Sequence, residues 1–362
     1  KDLPSGWVCN GCTVGPNVSQ NPEPIAAPLP PYVNRYDGDN PLNIRADPKR
    51  SNNFFLILGD WGKATGVGSC QRAVARKMKR YVEKQRALGK TILAVALVGD
   101  NFYWTGATPE AWAKQWEPAY GTANDSQSAL YQVPWFAVAG NHDYGDNDPY
   151  AFCPHVRPLA KVDGQDYASQ QFNADRNPTR PAWTSQYWYP DYNYHYSIPE
   201  ADLEIIALDT NARAISELGG DWRGHSDAFG LCGGVDAVGS FLHLVDEAGR
   251  TLLMERARHG TASTVVILQH YPGMCRRDVF EAAVPRGREV RVLCAYGHLP
   301  DQRCEGRDAA GVCNMVMTGG GSSCSQSASS TGGFAAVHLT ADGGFETELE
   351  SDDVRLRPGV VV

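Results

Sequence analysis

Seven residues of this 362-residue chain pair a donor atom with a position where donor atoms are useful. Asp60 closes the run FFLILGD, Asp100 and Tyr103 follow ILAVALVGDNFY, Asn141 and His142 follow WFAVAGNHDY, His270 follows TVVILQH, and His298 follows VRVLCAYGH. Taken singly, Gly-Asp after a strand is a turn, and a lone histidine beside a core is a structural residue. Five signatures of this kind, each placing oxygen or nitrogen donors after a buried-looking strand, are better explained as a metal site. The carboxyl ends of strands form the ligand crevice in open α/β sheets, so these residues are expected to converge.

Donors at this density suit phosphoryl transfer. Two cations a few ångströms apart hold a phosphoryl oxygen, lower the pKa of a bound water and offset the charge of an in-line displacement. One carboxylate has to bridge them, and Asp100 is the candidate. Tyr103 narrows the metal, since a phenol with a pKa of about 10 gives up its proton near neutrality only to a strong Lewis acid such as ferric iron. Gly99 allows the turn.

In order and spacing, GDWG, GDNFYWTG, GNHDY and the two later histidines resemble the purple acid phosphatase branch of the calcineurin-like metallophosphoesterases, in particular its small single-domain members, over roughly residues 53–350. The resemblance implies a four-layer α/β/β/α sandwich with mixed sheets. It also implies hydrolysis of phosphomonoesters, carried by phosphorylated small molecules or phosphoproteins, with a metal-bound hydroxide at a binuclear centre. In that family pattern a ferric ion (Fe3+) takes Asp60, Tyr103 and the bridging Asp100, and a divalent ion (Fe2+, Zn2+ or Mn2+) takes Asp100, Asn141, His270 and His298. His142 would contact the phosphate and assist the leaving group rather than bind metal.

The sequence departs from the pattern at one ligand. The family's last motif is Gly-His-x-His, and this chain reads Gly297-His298-Leu299-Pro300, so the ferric site lacks its histidine. A phosphate-facing histidine that some relatives carry shortly after the His270 position is also missing from HYPGMCRRDVF. Two readings stay open: an acid phosphatase-type hydrolase weakened at the ferric site, and a catalytically impaired phosphatase-like structural or binding protein with a protein partner. A phosphodiesterase is a third, since the wider superfamily contains them.

These residues need a scaffold. The sequence predicts strands over Asn53–Leu58, Thr91–Val98, Pro134–Val138, Leu203–Leu208, Thr264–Leu268, Val290–Cys294, Asn314–Met317 and Phe334–Leu339, and helices over Ser69–Leu88, Pro109–Tyr120 and Ser240–His259. Strands alternating with helices indicate an α/β fold, with the early strands parallel and the closely spaced ones of 290–350 an antiparallel continuation. Residues 1–52, dense in Pro, Asn and Asp, are expected as a Pro-rich N-terminal extension ahead of a metallophosphoesterase domain at 53–362. The stretch PAWTSQYWYPDYNYHY, 181–196, reads either as an aromatic rim or sugar- or partner-binding surface, or as a loop packed on the sandwich.

Composition excludes some partners. With 33 Lys and Arg against 41 Asp and Glu, the formal charge of −8 disfavours nucleic acid and anionic lipid. The basic residues between Arg72 and Arg86 interleave with Val74, Met78, Tyr81 and Val82 at helical spacing and read as a solvated helix face. Ten cysteines suit disulfides in an oxidising compartment, Cys9 and Cys12 among them as structural partners. Asn17-Val18-Ser19 and Asn124-Asp125-Ser126 are N-glycosylation acceptors by pattern. No stretch reaches the roughly 18 apolar residues of a membrane span. The chain begins at Lys1 with no charged and apolar leader, and the expectation is a secreted or lumenal protein whose signal peptide has been removed.

Overall fold

Strands that read as unbroken apolar runs must be covered on both faces, and the computed structural model shows how this is done. It describes residues 32–36, 41–62, 69–103, 107–121, 125–144, 169–175, 177, 180–212, 235–271, 276–296, 303–304, 315–317 and 333–351. His298, Pro300 and both glycosylation candidates, Asn17 and Asn124, lie outside the described residues.

The strands form two mixed sheets. In the first, β2 (Asn53–Leu58), β3 (Thr91–Leu97), β4 (Trp135–Ala137) and β5 (Tyr187–Trp188) are parallel, and β12 (Gly333–Leu339) and β13 (Phe345–Ser351) extend it antiparallel beyond β2. The second runs in the order β1 (Val33–Tyr36), β6 (Asn193–Ile198), β7 (Leu203–Ala207), β8 (Thr264–Leu268), β9 (Arg291–Tyr296), β11 (Met315–Met317), β10 (Arg303–Cys304). It is parallel from β7 through β11 and antiparallel at β6–β7 and β10–β11. The antiparallel continuation expected over 290–350 therefore holds for β12 and β13 and for the β10–β11 pair, and fails for β9, which is parallel to both β8 and β11. The physical reason is the connection: β8 reaches β9 by a crossover that includes α3 (Arg277–Ala283), a helix not anticipated from the sequence, and crossovers join parallel strands.

Alternation along the strands sorts side chains between two layers. On β7 to β9, Leu203, Ile205, Ala207, Val266, Leu268, Leu293 and Ala295 join the core between the sheets, with Phe136 of β4 packed on Tyr196 of β6 at 5.0 Å. Their neighbours Ile206, Val265, Ile267, Val292 and Cys294 form a second cluster with Leu252 and Leu253 of helix α2 (Val235–His259) and Phe280 of α3. On the other side, α1 (Ser69–Ala87) buries Val74, Ala75, Met78, Tyr81 and Val82 while Arg72, Arg76, Arg80, Lys84 and Arg86 stay exposed, as expected of a solvated basic face. Helix, sheet, sheet, helix is the order of layers.

Two sequence expectations change in detail. The helix expected over Pro109–Tyr120 is α-helical only at Pro109–Ala111, capped by the Thr108 hydroxyl, and continues as a π turn over Trp112–Trp116. Val33–Tyr36, inside the segment expected as an extension, pairs with Asn193–Tyr196 as an edge strand, and the compact unit runs from Pro31 to Val362. The aromatic stretch 181–196 is a packed one: Tyr187, Tyr189, Tyr192, Tyr194 and Tyr196 are all fully buried.

Candidate metal centre

β2 and β3 are adjacent and parallel, so their carboxyl ends emerge together. The Asp60 N–H donates to the Gly99 carbonyl at 3.0 Å, and Val138 after β4 bonds to Leu97 at 3.1 Å. Gly99 has φ +95°, and both Asp60 (φ 51°) and Asp100 (φ 52°) sit in the left-handed region. Aspartate enters that region more readily than most residues, and such backbone strain gathers where side chains must be aimed. Space is as tight as geometry: a Cβ on Gly99 would lie 2.5 Å from His270 Nδ1, and one on Gly140 would lie 2.2 Å from Asp100 Oδ1. Those two glycines let the ends of β3, β4 and β8 close on one point.

Asp60, Asp100 and His270 meet there, each offering a ligand atom within 4.8 Å of the others. The Tyr103 hydroxyl donates to Asp100 Oδ2 at 3.0 Å, with Asp60 Oδ1 at 3.5 Å. Asn141 is buried on the adjoining turn Asn141–Tyr144. His142 comes in from the same turn, its N–H on Asp100 Oδ1 (3.1 Å), its Nε2 3.8 Å from Asp100 Oδ2 and its ring against Tyr103 with centroids 4.4 Å apart. Of the other six residues picked from the sequence, Asp60, Tyr103, His142 and His270 lie at Asp100 and Asn141 sits on the adjoining turn.

The donor set fits a cation. His270 Nδ1 lies 3.0 Å from the Val98 carbonyl, which can only accept, so Nδ1 carries a proton and Nε2 is the ring nitrogen turned toward the carboxylates. Nε2 lies 3.3 Å from Asp100 Oδ1. Asp60 Oδ2 is buried and has no hydrogen-bond partner among the described residues. Burial, then the neighbouring Asp100 charge, raises the Asp60 carboxyl well above its ordinary pKa. An excess of acceptors around one point is what a hard or borderline metal ion satisfies, with oxygen donors and one imidazole nitrogen.

The surroundings hold this arrangement. Phe102, between Asp100 and Tyr103, turns away from the centre into a cluster with Trp61, Trp112, Trp116, Trp135 and Tyr187, packing on Trp112 at 4.6 Å. Gln115 donates to the Tyr103 carbonyl at 2.9 Å. Asp143, fully buried, accepts from the N–H groups of Gly140 (2.8 Å), Asn101 (3.0 Å) and Phe102 (3.0 Å) and from the Gln171 amide (2.7 Å), stitching the β3 loop to the β4 loop. Burial pushes its carboxyl up to about 7. The sequence reading passed over Asp143, although its place inside GNHDY was a usable signal.

Residues 54–214 match the calcineurin-like phosphoesterase family. That span contains Asp60, Asp100, Tyr103, Asn141 and His142. The chain is 33% identical over 164 residues to human "Tartrate-resistant acid phosphatase type 5", covering 43% of this chain and 40% of that protein. It is 35% identical over 98 residues to the mouse protein of the same name, covering 26% and 27%. It is 34% identical over 110 residues to "Purple acid phosphatase 3" of Arabidopsis thaliana, covering 29% and 26%. The matched stretches thus span from about a quarter to two fifths of these relatives' own lengths.

Proposed function

We propose that this chain, a purple acid phosphatase-like metallophosphoesterase, hydrolyses phosphomonoesters at the centre formed by Asp60, Asp100 and His270. The observation that carries the reading is the convergence of ligand atoms from Asp60, Asp100 and His270 within 4.8 Å of one another, with Asp60 Oδ2 buried and without a hydrogen-bond partner among the described residues. Asp60, Tyr103 and Asp100 would hold one ion, and Asp100, Asn141, His270 and His298 the other, with Fe3+ at the first site and Fe2+, Zn2+ or Mn2+ at the second. When bound, the pair supplies Lewis-acid activation of the attacking water and neutralises charge on the phosphoryl group. His142, packed against Tyr103 and 15% exposed, would hydrogen-bond a phosphoryl oxygen and protonate the leaving oxygen.

Substrates in this reading are phosphorylated small molecules or phosphoproteins. Cys70 and Cys294 are both disulfide-bonded, which supports an oxidising, secreted or lumenal setting. No helix among the described residues is long and apolar enough to cross a membrane.

The test is turnover of p-nitrophenyl phosphate by protein supplied with iron and zinc or manganese, beside metal counting by elemental mass spectrometry. Turnover that Asp100→Ala abolishes supports the reading. Pro300 in place of the ferric-site histidine favours one rival, a phosphatase-like binding protein. Metal-replete protein without turnover would select that rival, and preference for a diester substrate would select a phosphodiesterase.

A further inference from the structure

At the carboxyl end of β7 the chain reads Asp209-Thr210-Asn211, three consecutive polar side chains, all buried. None was singled out from the sequence. Each bonds to a neighbouring strand end that carries a residue of the centre. The Tyr144 hydroxyl donates to Asp209 Oδ2 at 2.7 Å. Asn211 Nδ2 donates to the Ala139 carbonyl at 3.1 Å and to Asp209 Oδ1 at 3.0 Å. Ala139 and Tyr144 flank Asn141 and His142, so the segment grips the β4 turn from both sides. Thr210 Oγ1 accepts the N–H of Tyr271 at 3.2 Å, next to His270.

The grip is itself anchored. Asp209 N–H donates to Asn193 Oδ1 at 3.0 Å, and the Asn193 amide donates to the carbonyls of Tyr32 (3.0 Å) and Val245 (2.9 Å), tying β6, the approach to β1 and helix α2 together. Filling this volume with apolar side chains would bury as much surface without the need to satisfy a carboxylate. What polar side chains add is direction, since hydrogen bonds fix relative orientation where packing alone leaves it loose.

We propose that Asp209, Thr210 and Asn211 are positioning residues: a clamp from the second sheet that sets the β4 turn, and with it His142 and Asn141, against His270 at the end of β8. The inference rests on the phosphatase reading for its catalytic consequence, but the clamp can be measured without it.

The experiment compares Tyr144→Phe, Asp209→Ala and Asp209→Asn with a control, Tyr81→Phe, which removes a tyrosine–carboxylate hydrogen bond of the same 2.7 Å length on the far side of the first sheet. With p-nitrophenyl phosphate, Tyr144→Phe and Asp209→Ala are expected to lower kcat about 10- to 100-fold with KM little changed, because the clamped group acts mainly in the transition state. Asp209→Asn keeps an acceptor for the Tyr144 hydroxyl and should restore most of the rate. Losses no larger than that of Tyr81→Phe at matched thermal stability would overturn the clamp. If the wild-type chain binds metal but turns over no phosphomonoester, the phosphatase reading fails and Mn2+ affinity becomes the readout. Weakening of about fivefold or more in Asp209→Ala alone then supports the clamp, and affinities equal to the control overturn it.

Discussion

Tyrosine, histidine and carboxylate come together twice in this molecule. On the outer face of the first sheet, Tyr81 donates to Glu348 at 2.7 Å and lies 2.7 Å from His338 Nε2. At the strand ends, Tyr103 donates to Asp100, and His270 lies beside the same carboxylate. The outer group is complete in itself: one hydroxyl proton goes to Glu348, the protonated Nε2 of His338 bonds the hydroxyl oxygen, and water reaches Glu348, 48% exposed. The inner group is out of balance. Its second carboxylate, Asp60, has a buried oxygen without a hydrogen-bond partner among the described residues, and its imidazole Nδ1–H goes to a backbone carbonyl. Residue types alone do not mark a metal site; convergence of two buried carboxylates and an imidazole on one point, with a buried carboxylate oxygen left over among the described residues, does.

The sharpest way to break this contrast is to remove one carboxylate from each group. Asp100→Ala is expected to cut p-nitrophenyl phosphate turnover by at least about three orders of magnitude, with loss of bound metal, since Asp100 touches Tyr103, His142 and His270 at once. Glu348→Gln should leave both turnover and metal content as they were. Equal effects in steady-state kinetics and elemental analysis would show that the inner cluster is structural too.

A second contrast uses two glycines with the same backbone and different neighbours. Gly99 (φ +95°) would press a Cβ to 2.5 Å from His270, whereas Gly287 (φ +89°) has nothing within 4 Å. Urea denaturation should show Gly287→Ala costing about 1–2 kcal/mol, the left-handed penalty alone. Gly99→Ala should cost roughly 3 kcal/mol or more, because overlap with a fully buried ring is added to it.

How far the sequence carried is explained by the same local physics. The apolar runs of β2, β3, β7 and β8 announced themselves because both faces are buried, and the donors after Leu58, Val98 and Leu268 were legible because several such runs end in Asp or His together. The partition of the strands into two sheets was not legible in the runs themselves, since Ile205 and Ile206 look alike in sequence and face opposite layers. Nor was the clamp: Asp209 sits after a strand like Asp100, and nothing in the letters says that its partner is the hydroxyl of Tyr144, sixty-five residues earlier on the turn after a strand of the other sheet. Of the two readings of the aromatic stretch 181–196, the packed one holds, because β6 is covered on both faces and Tyr187, Tyr189 and Tyr192 are buried beside it.

Asp209 gives a pH signature opposite in sign to that of the outer group, where burial lowers the pKa of His338. Burial holds its carboxyl up to about 6 in the fold, above the ordinary 3.8. Between those values the folded chain binds more protons than the unfolded one, so stability falls as pH rises from about 4 to about 6. The full difference is on the order of 3 kcal/mol. Thermal or urea denaturation of metal-free protein should show the wild type losing stability relative to Asp209→Asn across that window, and parallel curves would contradict it.

The smallest expected effect is the most useful control. Tyr81 is 6% exposed, packs edge-on against Phe54 and Phe334, and reaches Glu348 over the top of His338. Phenylalanine keeps the ring contacts and removes one hydroxyl, leaving Glu348 to water and His338 Nε2 without its acceptor. Tyr81→Phe should therefore cost about 1 kcal/mol in urea denaturation, the net worth of one hydrogen bond, with kcat and metal content unchanged. A loss of metal or of rate in this variant would mean that strain at the outer face of the first sheet travels through β2 to Asp60, and the independence of the two clusters would have to be given up.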